Sequence, residues 1–181
     1  MTTARIRVWD PLVRFVHWSV AVLIVIDLLN DAGANPWHRY FGYAAGALVA
    51  LRLAWGMFGS PYARLQAMVA SARTLKTYFG KSTSPARRFY AGHNPLGAWM
   101  AFVLWGLLLA IVMTGWMLQL DAFWGDESLQ TLHAAASYAL ATLAVVHVAG
   151  VLVTSAVTRS NLVKAMITGI KVDKDTPARN Q

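Results

Sequence analysis

The chain has 181 residues, of which 57% are hydrophobic and only 13% are charged, about half the charged fraction of a typical soluble domain. Together with a mean hydropathy of +0.45, these proportions indicate an integral membrane protein. The absence of cysteine excludes disulfides, thiolate metal sites and the covalent attachment of c-type haem, and the net charge of +8 follows a topological pattern rather than a nucleic-acid-binding one.

Four apolar segments are each long enough to cross the hydrocarbon core of a bilayer, which takes about 20 residues. In chain order they cover about residues 11–29, 38–58, 95–120 and 129–157. The first segment is too long, and too poor in small residues at its end, to be a cleaved signal peptide. The pattern predicts an all-α, integral membrane four-helix bundle in which residues 1–181 form a single domain.

The connection between the second and third segments contains an amphipathic stretch. Apolar residues recur there at helical spacing, while the basic residues Arg64, Arg73 and Lys76 lie elsewhere on the helical wheel. The apolar positions are Tyr62, Leu65, Val69, Ala72, Leu75 and Phe79. We interpret the stretch as a helix in the membrane interface, because a helix surrounded by solvent fits an apolar stripe less well. Asn94 and Pro95 then cap and open the third membrane helix.

The basic residues are concentrated in three regions that fall on one side of the membrane if the chain crosses it four times. They are Arg5, Arg7 and Arg14 near the N-terminus, Arg64, Arg73, Lys76, Lys81, Arg87 and Arg88 between the second and third segments, and Arg159, Lys164, Lys171, Lys174 and Arg179 after the fourth. The positive-inside rule makes this side cytoplasmic, with both termini inside. The opposite connections carry the carboxylates Asp27, Asp31, Asp121, Asp126 and Glu127 against the single Arg39. We therefore expect membrane lipid, and no nucleic acid, around this chain.

Four histidines lie near the ends of the apolar segments, and the predicted topology sorts them by depth. His17 and His147 are placed near the inner side of the membrane, and His38 and His133 near the outer side. His133 and His147 are 14 residues apart on one predicted helix. This spacing separates them by about 21 Å along the axis and keeps them within about 40° of one face. The histidines thus form two depth-matched pairs, His17 with His147 and His38 with His133.

Three kinds of chemistry use histidines inside a membrane. A single metal ion requires three or four ligands in one cluster, whereas these two pairs are separated by much of the membrane. A proton relay favours carboxylates in the core, yet Asp10 and Asp27 lie only at helix ends. Haem fits best, because two imidazoles from different helices supply both axial ligands of one iron. Two such haems would carry electrons across the bilayer, and bis-imidazole ligation leaves no open position for oxygen.

Short motifs are distributed along nearly the whole chain. In chain order they are Arg-x-x-His-Trp at 14–18, His-Arg-Tyr-Phe-Gly-Tyr at 38–43, Arg-Leu-Ala-Trp-Gly at 52–56, Gly-His-Asn-Pro-Leu-Gly at 92–97, Leu-His at 132–133, His-Val at 147–148 and the segment from Arg to Leu at 159–162. Taken together, they resemble the prokaryotic cytochrome b561 family, which also takes in the cytochrome b subunits of nickel-iron hydrogenases.

The resemblance implies a dihaem b-type cytochrome of the bacterial inner membrane, with four helices and two haem b groups. His17, His38, His133 and His147 occupy positions that look like the four axial ligands of the family. The resemblance also implies that electrons are exchanged with quinone or quinol, as a substrate that binds and leaves. The expected partner is a periplasmic redox protein, such as a c-type cytochrome or a hydrogenase.

Three further features each have more than one interpretation. Arg52 follows His38 by 14 residues and would either pair with a propionate of the inner haem or extend to the solvent at the helix end. Gly42 and Gly46 form a Gly-x-x-x-Gly motif that would bring helices close or leave room for a flat macrocycle. His93 lacks a depth-matched histidine, and would orient a helix start, contact a propionate, move protons to quinone or face solvent. We leave it outside the ligand set.

Three classes of function fit these observations. The leading one is electron transfer between the quinone pool and a periplasmic redox protein, for which the acidic outer connections suit a basic partner. The alternative is an enzyme that resembles the superoxide:ubiquinone oxidoreductases of the family, although the outer carboxylates would repel the superoxide anion. A haem-free membrane scaffold or transporter is the third. The sequence leaves open whether the protein is an enzyme.

Overall fold

The computed structural model describes residues 3–30, 36–76 and 90–177, and within them the chain is mostly helical. The α-helices are α1 (Pro11–Leu29), α2 (Trp37–Phe58), α3 (Leu65–Arg73), α4 (Pro95–Met117), α5 (Glu127–Thr158) and α6 (Leu162–Thr168). A short 3-10 helix (Asp121–Phe123) lies between α4 and α5. Two strands, β1 (Thr3–Arg7) and β2 (Ile170–Pro177), lie near the chain ends.

Four of these helices, α1, α2, α4 and α5, are long and apolar enough to cross a membrane, with 19, 22, 23 and 32 residues. Large apolar side chains lie on their outer surfaces; Leu29, for example, is 82% exposed and Tyr138 is 75% exposed. An apolar exterior on helices of this length is suited to lipid rather than water. The prediction of four membrane helices is confirmed, and the predicted boundaries differ from the helix ends by at most three residues.

Side-chain acceptors determine where four of the helices begin. Each accepts a backbone N–H three residues later, as an N-cap does. The acceptor and donor pairs are Asp10 with Val13 (2.9 Å), Asn94 with Gly97 (2.6 Å), Asp126 with Leu129 (3.0 Å) and Asn161 with Lys164 (2.7 Å). Proline occupies the first helical position of α1 and of α4, where its missing N–H has no cost. The predicted start of α4 at Asn94 and Pro95 is confirmed.

The chain divides into two compact units, and the first comprises Met1–Phe15, Leu53–Met100 and His147–Gln181. In this unit β1 and β2 pair in antiparallel fashion, with Arg5 opposite Val172. The pairing joins the two ends of the chain, although they are far apart in sequence. This two-stranded sheet was not predicted from the sequence.

Gly169 makes the turn from α6 into β2. Its φ is +81°, and its N–H donates to the Ala165 carbonyl at 2.8 Å, which closes the helix. The Gly169 carbonyl accepts the backbone N–H groups of Val8 at 2.8 Å and Trp9 at 3.2 Å. A Cβ at this position would lie only 2.6 Å from the Trp9 carbonyl oxygen. Both the backbone conformation and the close approach therefore require glycine.

The first unit has an apolar core with two polar groups at its edge. The core residues are Val8, Trp9, Val13 and Ala63, with Ile6, Trp55, Tyr62 and Met166 packed against them. The Asp10 carboxylate accepts the Trp55 indole N–H at 3.1 Å and the Ser60 hydroxyl at 2.8 Å. Lys171 is 8% exposed and donates to the Tyr90 carbonyl. Burial lowers the pKa of Lys171 to about 8.

Helix α3 is amphipathic, but it is shorter than the predicted stretch of residues 62–79. The last three of these residues lie outside the described part of the chain, and α3 ends before them. Met68 and Ala72 are buried, whereas Val69, which belongs to the predicted stripe, is 37% exposed. The buried face is set by packing: the Trp99 indole of α4 donates to the Ala72 carbonyl at 3.1 Å. The predicted stripe therefore matches the buried face at Ala72 but not at Val69, in whose place Met68 is buried.

The second unit comprises Val16–Arg52 and Ala101–Val146. A Cβ added to Gly46 would lie 3.1 Å from both methyl groups of Val112, so α2 and α4 approach closely at this point. A Cβ added to Gly42 would meet no atom within 4 Å. The two interpretations of the Gly-x-x-x-Gly motif therefore apply to different glycines. Gly46 permits helix packing, and Gly42 borders open space.

Candidate haem site

His38 and His133 lie next to each other in the second unit. His38 is the second residue of α2, and His133 is the seventh residue of α5. Their ring centroids are 6.1 Å apart and their ring planes meet at 80°. Both side chains are half-buried. The structure thus brings together the two histidines of the predicted outer pair.

The Nδ1 atom of each ring lies close to a polar oxygen of another helix. Asp27 Oδ1 lies 2.9 Å from His38 Nδ1, and Thr114 Oγ1 lies 2.9 Å from His133 Nδ1. The Thr114 hydroxyl donates to two carbonyl groups of its own helix, each 3.0 Å away, so its oxygen acts as an acceptor toward His133. A carboxylate also only accepts. A proton on each Nδ1 atom would suit these neighbours and would leave each Nε2 atom with a lone pair for a metal.

The separation of the two rings is compatible with both histidines holding one iron between them. An imidazole nitrogen binds a metal at about 2 Å and the ring centre lies about 1 Å farther, so two axial rings have centres about 6 Å apart. The observed separation of the His38 and His133 centroids, 6.1 Å, agrees with this value. Partners at Nδ1 are also what fixes the tautomer and orientation of metal-binding histidines. The residues present therefore fit a bis-histidine haem.

A cavity of about 630 Å³ adjoins both histidines. Its walls come from α1, α2, α4 and α5 and are mainly apolar; they include Leu23, Ile24, Leu28, Phe41, Ala45, Leu108, Ile111, Val112, Leu118 and Leu140. Gly42 and Gly115 also line it, and a Cβ on Gly115 would lie 3.1 Å from Cε1 of His133. Ligand and cofactor sites are typically apolar clefts of about 300–1,000 Å³ with a few polar groups. The cavity is of this kind.

Three polar side chains of the cavity wall are linked by hydrogen bonds. The Arg39 guanidinium donates to Gln119 Oε1 at 2.7 Å, and the Gln119 amide donates to the Tyr43 hydroxyl at 3.2 Å. All three residues line the cavity. Arg39 supplies positive charge there, which suits the acidic substituents of a haem.

His17 belongs to the second compact unit and His147 to the first, so each is described by itself. His17 is the seventh residue of α1 and contacts the Trp18 ring edge-on, with centroids 5.3 Å apart. His147 is the twenty-first residue of α5. Both side chains are half-buried. Their pairing stays a prediction.

Arg52 is almost completely buried, with 3% of its surface exposed. Its guanidinium carbon lies 5.2 Å from the centre of the Trp105 ring, a cation–π distance. Both residues belong to the second unit. A side chain buried to this extent does not extend to the solvent, so this interpretation of Arg52 was wrong. Its contact with a propionate stays a prediction.

His93 is half-buried and packs against other residues of the first unit. Its ring meets the Trp9 ring edge-on, with centroids 4.7 Å apart, and its carbonyl accepts the Ser71 hydroxyl at 2.8 Å. It also lines a second, smaller cavity of about 320 Å³ in the first unit. These contacts hold the segment before α4 against Trp9 and α3 of the same unit.

The sequence did not single out Asp27 and Thr114, the two residues whose oxygens lie next to the imidazoles. Asp27 is the only acidic residue of α1, and acids in apolar helices are usually functional. The position of Asp27 near the end of α1 makes this signal easy to assign to the membrane surface instead. Thr114 gave a weaker signal, because a threonine in a membrane helix commonly bonds to the preceding turn, as this one also does.

Paired histidines at the edge of an apolar cavity, on helices that can cross a membrane, are typical of membrane cytochromes that hold haem without covalent attachment. Comparison with known families agrees. The profile of the prokaryotic cytochrome b561 family matches residues 8–169, and the chain belongs to this family. Haem b and membrane electron transfer are properties of the family, and the resemblance predicted from the sequence motifs is confirmed.

A similar protein from another bacterium supports the same class. A probable Ni/Fe-hydrogenase B-type cytochrome subunit of Rhodobacter capsulatus is 26% identical over 182 aligned residues. The alignment covers 90% of this chain and 64% of the relative, so the chain spans less than two thirds of the length of that protein. No solved structure matches the chain.

Proposed function

We propose that this protein is a dihaem b-type cytochrome that transfers electrons across the bacterial inner membrane, between the quinone pool and a periplasmic redox partner. The pair of His38 and His133 carries the proposal, because ring separation, Nδ1 partners and the adjoining cavity all fit one haem. Haem bound there supplies one-electron chemistry with both axial positions filled, which suits electron transfer rather than oxygen binding.

The second haem is proposed for His17 and His147. Helix α5 is unbroken from Glu127 to Thr158, so His147 lies about 21 Å along its axis from His133 and on nearly the same side. In this proposal, one helix offers an imidazole at two depths of the membrane. We propose that Arg52 contacts a propionate of this second haem, because a buried guanidinium is stabilised by an anionic group.

The proposed orientation places both chain ends in the cytoplasm, within one domain of residues 1–181. The pairing of β1 with β2 supports the first part, since paired strands from the two ends lie on one side of a membrane. The basic residues near these ends, such as Arg5 and Lys164, favour the cytoplasmic side under the positive-inside rule. The carboxylates between α4 and α5, including Asp121 and Asp126, then face the periplasm. They suit a basic redox protein.

The name of the Rhodobacter capsulatus relative associates that protein with a hydrogenase. We propose a partner of the same general kind, either a hydrogenase-like protein or a c-type cytochrome, at the periplasmic side. Quinone or quinol is proposed as the second electron carrier. A direct test is reduction of the haems of the purified protein by a water-soluble ubiquinol or menaquinol analogue. Failure of both to reduce either haem would contradict the quinone part of the proposal.

Electron transfer across a membrane can be measured with the protein in liposomes. Ferricyanide is trapped inside and dithionite, which does not cross the bilayer, is added outside. The parent protein is expected to speed ferricyanide reduction, whereas His38→Ala and His147→Ala each remove the acceleration. His93→Ala is the matched control, because it removes an imidazole that is packed on Trp9 and lies outside the ligand set. Parental rates in both ligand variants would contradict the proposal.

A further inference from the structure

The two histidines of the candidate haem site have chemically different partners. The Nδ1 atom of His38 faces a carboxylate oxygen of Asp27, and the Nδ1 atom of His133 faces the hydroxyl oxygen of Thr114. Both distances are 2.9 Å. Because the two distances are equal, the two histidines differ in the charge of the neighbouring group, which is a carboxylate at His38 and a neutral hydroxyl at His133.

Asp27 is well placed to act on His38. Its side chain is 20% exposed and that of His38 is 30% exposed, and both residues line the cavity. The surrounding turns of α1 are apolar, with Leu23, Ile24 and Leu28 also in the cavity wall. An acidic side chain in such surroundings is costly and is retained where it has a function.

The physical effect of a carboxylate at this position has a definite direction. A carboxylate that accepts the Nδ1 proton increases the electron donation of the opposite ring nitrogen, Nε2. Stronger donation, and a negative charge close to the iron, stabilise the ferric state more than the ferrous state. A hydroxyl acceptor is neutral, and it fixes the ring without adding charge. The two axial ligands therefore differ in how strongly they favour the oxidised state.

We infer that Asp27 is a positioning residue that orients His38 and lowers the reduction potential of the haem held by His38 and His133. Thr114 orients His133 without a comparable effect on the potential. The inference rests on the proposed haem site, and it adds a residue that determines how readily this one haem accepts an electron.

The test is an optical redox titration of the full-length protein purified in detergent. Asp27→Asn keeps the size of the side chain and removes its charge. We expect this variant to retain two haems, with a rise of about tenfold in the equilibrium constant for one-electron reduction of one haem, or about 59 mV. The other haem keeps its parental potential. Asp27→Glu restores the charge and is expected to restore the parental potential.

Thr114→Val is the matched control, because it removes the neutral acceptor of the other ligand. It is expected to shift the potential less than Asp27→Asn does. An equal shift in the two variants would contradict the inference, and so would parental potentials in Asp27→Asn with both haems bound. If Asp27→Asn purifies without one haem, Asp27→Glu decides: a parental potential supports the inference, and a tenfold shift contradicts it.

The proposed haem site is tested separately in the same titration by His38→Ala. Loss of one haem in that variant, with unchanged potentials in Asp27→Asn, would overturn only the role of Asp27. Retention of both haems in His38→Ala would instead overturn the proposed function, and the inference with it.

Discussion

Gly42 and Gly46 lie one turn apart on α2, yet alanine is expected to have different effects at the two positions. A Cβ at Gly46 would lie 3.1 Å from both methyl groups of Val112, whereas a Cβ at Gly42 would have no neighbour within 4 Å. Carbon atoms are in favourable contact at about 3.5–4.0 Å. The methyl group of an alanine at position 46 would therefore push Val112, and with it α4, away from α2. Gly42→Ala would not.

The magnitude follows from comparing the two variants. Replacing glycine by alanine within a helix contributes up to about 1 kcal/mol at either position. This gain is common to both variants and cancels in their difference. The remaining steric term at Gly46 is an overpacking penalty of about 1–3 kcal/mol. Gly46→Ala is therefore expected to be less stable than Gly42→Ala by about this amount.

A larger side chain at Gly42 separates haem binding from stability. Gly42 lines the 630 Å³ cavity, so Gly42→Leu is expected to fill part of it and displace the haem proposed for His38 and His133. Unfolding in detergent, followed by circular dichroism, measures stability, and the pyridine haemochrome spectrum counts haem. Equal stability of the two alanine variants would refute the packing argument. Two haems in Gly42→Leu would refute the assignment of the cavity.

Two further predictions concern the first unit. The pKa of Lys171 is about 8 in the folded chain against an ordinary value of 10.5, so the unfolded chain binds more protons between these values. The free energy of unfolding is therefore expected to rise as the pH rises from about 8 to about 10.5, and Lys171→Met should lose this slope; equal slopes in both proteins would contradict it. Gly169→Ala is expected to destabilise the unit by about 1–3 kcal/mol, because φ is +81° and a Cβ would lie 2.6 Å from the Trp9 carbonyl oxygen. Gly150→Ala, where a Cβ meets nothing within 4 Å, is the matched control for thermal unfolding, and an equal loss in both would contradict the argument.

The four membrane helices could be predicted because their signals are local. Each is an apolar run longer than any common strand, and caps such as Asn94 mark where a run begins. The pairing of β1 with β2 could not be predicted from the sequence. It joins residues more than 160 positions apart, and the two strands have only five and eight residues. Such short strands with several charged residues resemble the charged flanks that any membrane helix has.

The sequence predicts which histidines of the candidate site come together, but not which residues lie next to them. His38 and His133 were matched by depth, which depends only on topology and helical rise. Their partners depend on how each helix is rotated about its axis. Helix α4 is apolar on all sides, so its sequence contains no periodicity that would place Thr114 toward His133. Asp27 lies on a third helix, and only the folded chain shows that it reaches His38.

The central claim is that His38 and His133 bind one haem and that His17 and His147 bind the other. The most direct test is haem quantitation on the parent protein and on the four single histidine-to-alanine variants, with His93→Ala as the control. Two haems per chain are expected in the parent and in the control. His38→Ala and His133→Ala should lose the same haem, identified by its spectrum and potential, and His17→Ala and His147→Ala should lose the other. Two haems in both His38→Ala and His147→Ala, or loss of different haems by His38→Ala and His133→Ala, would contradict the account.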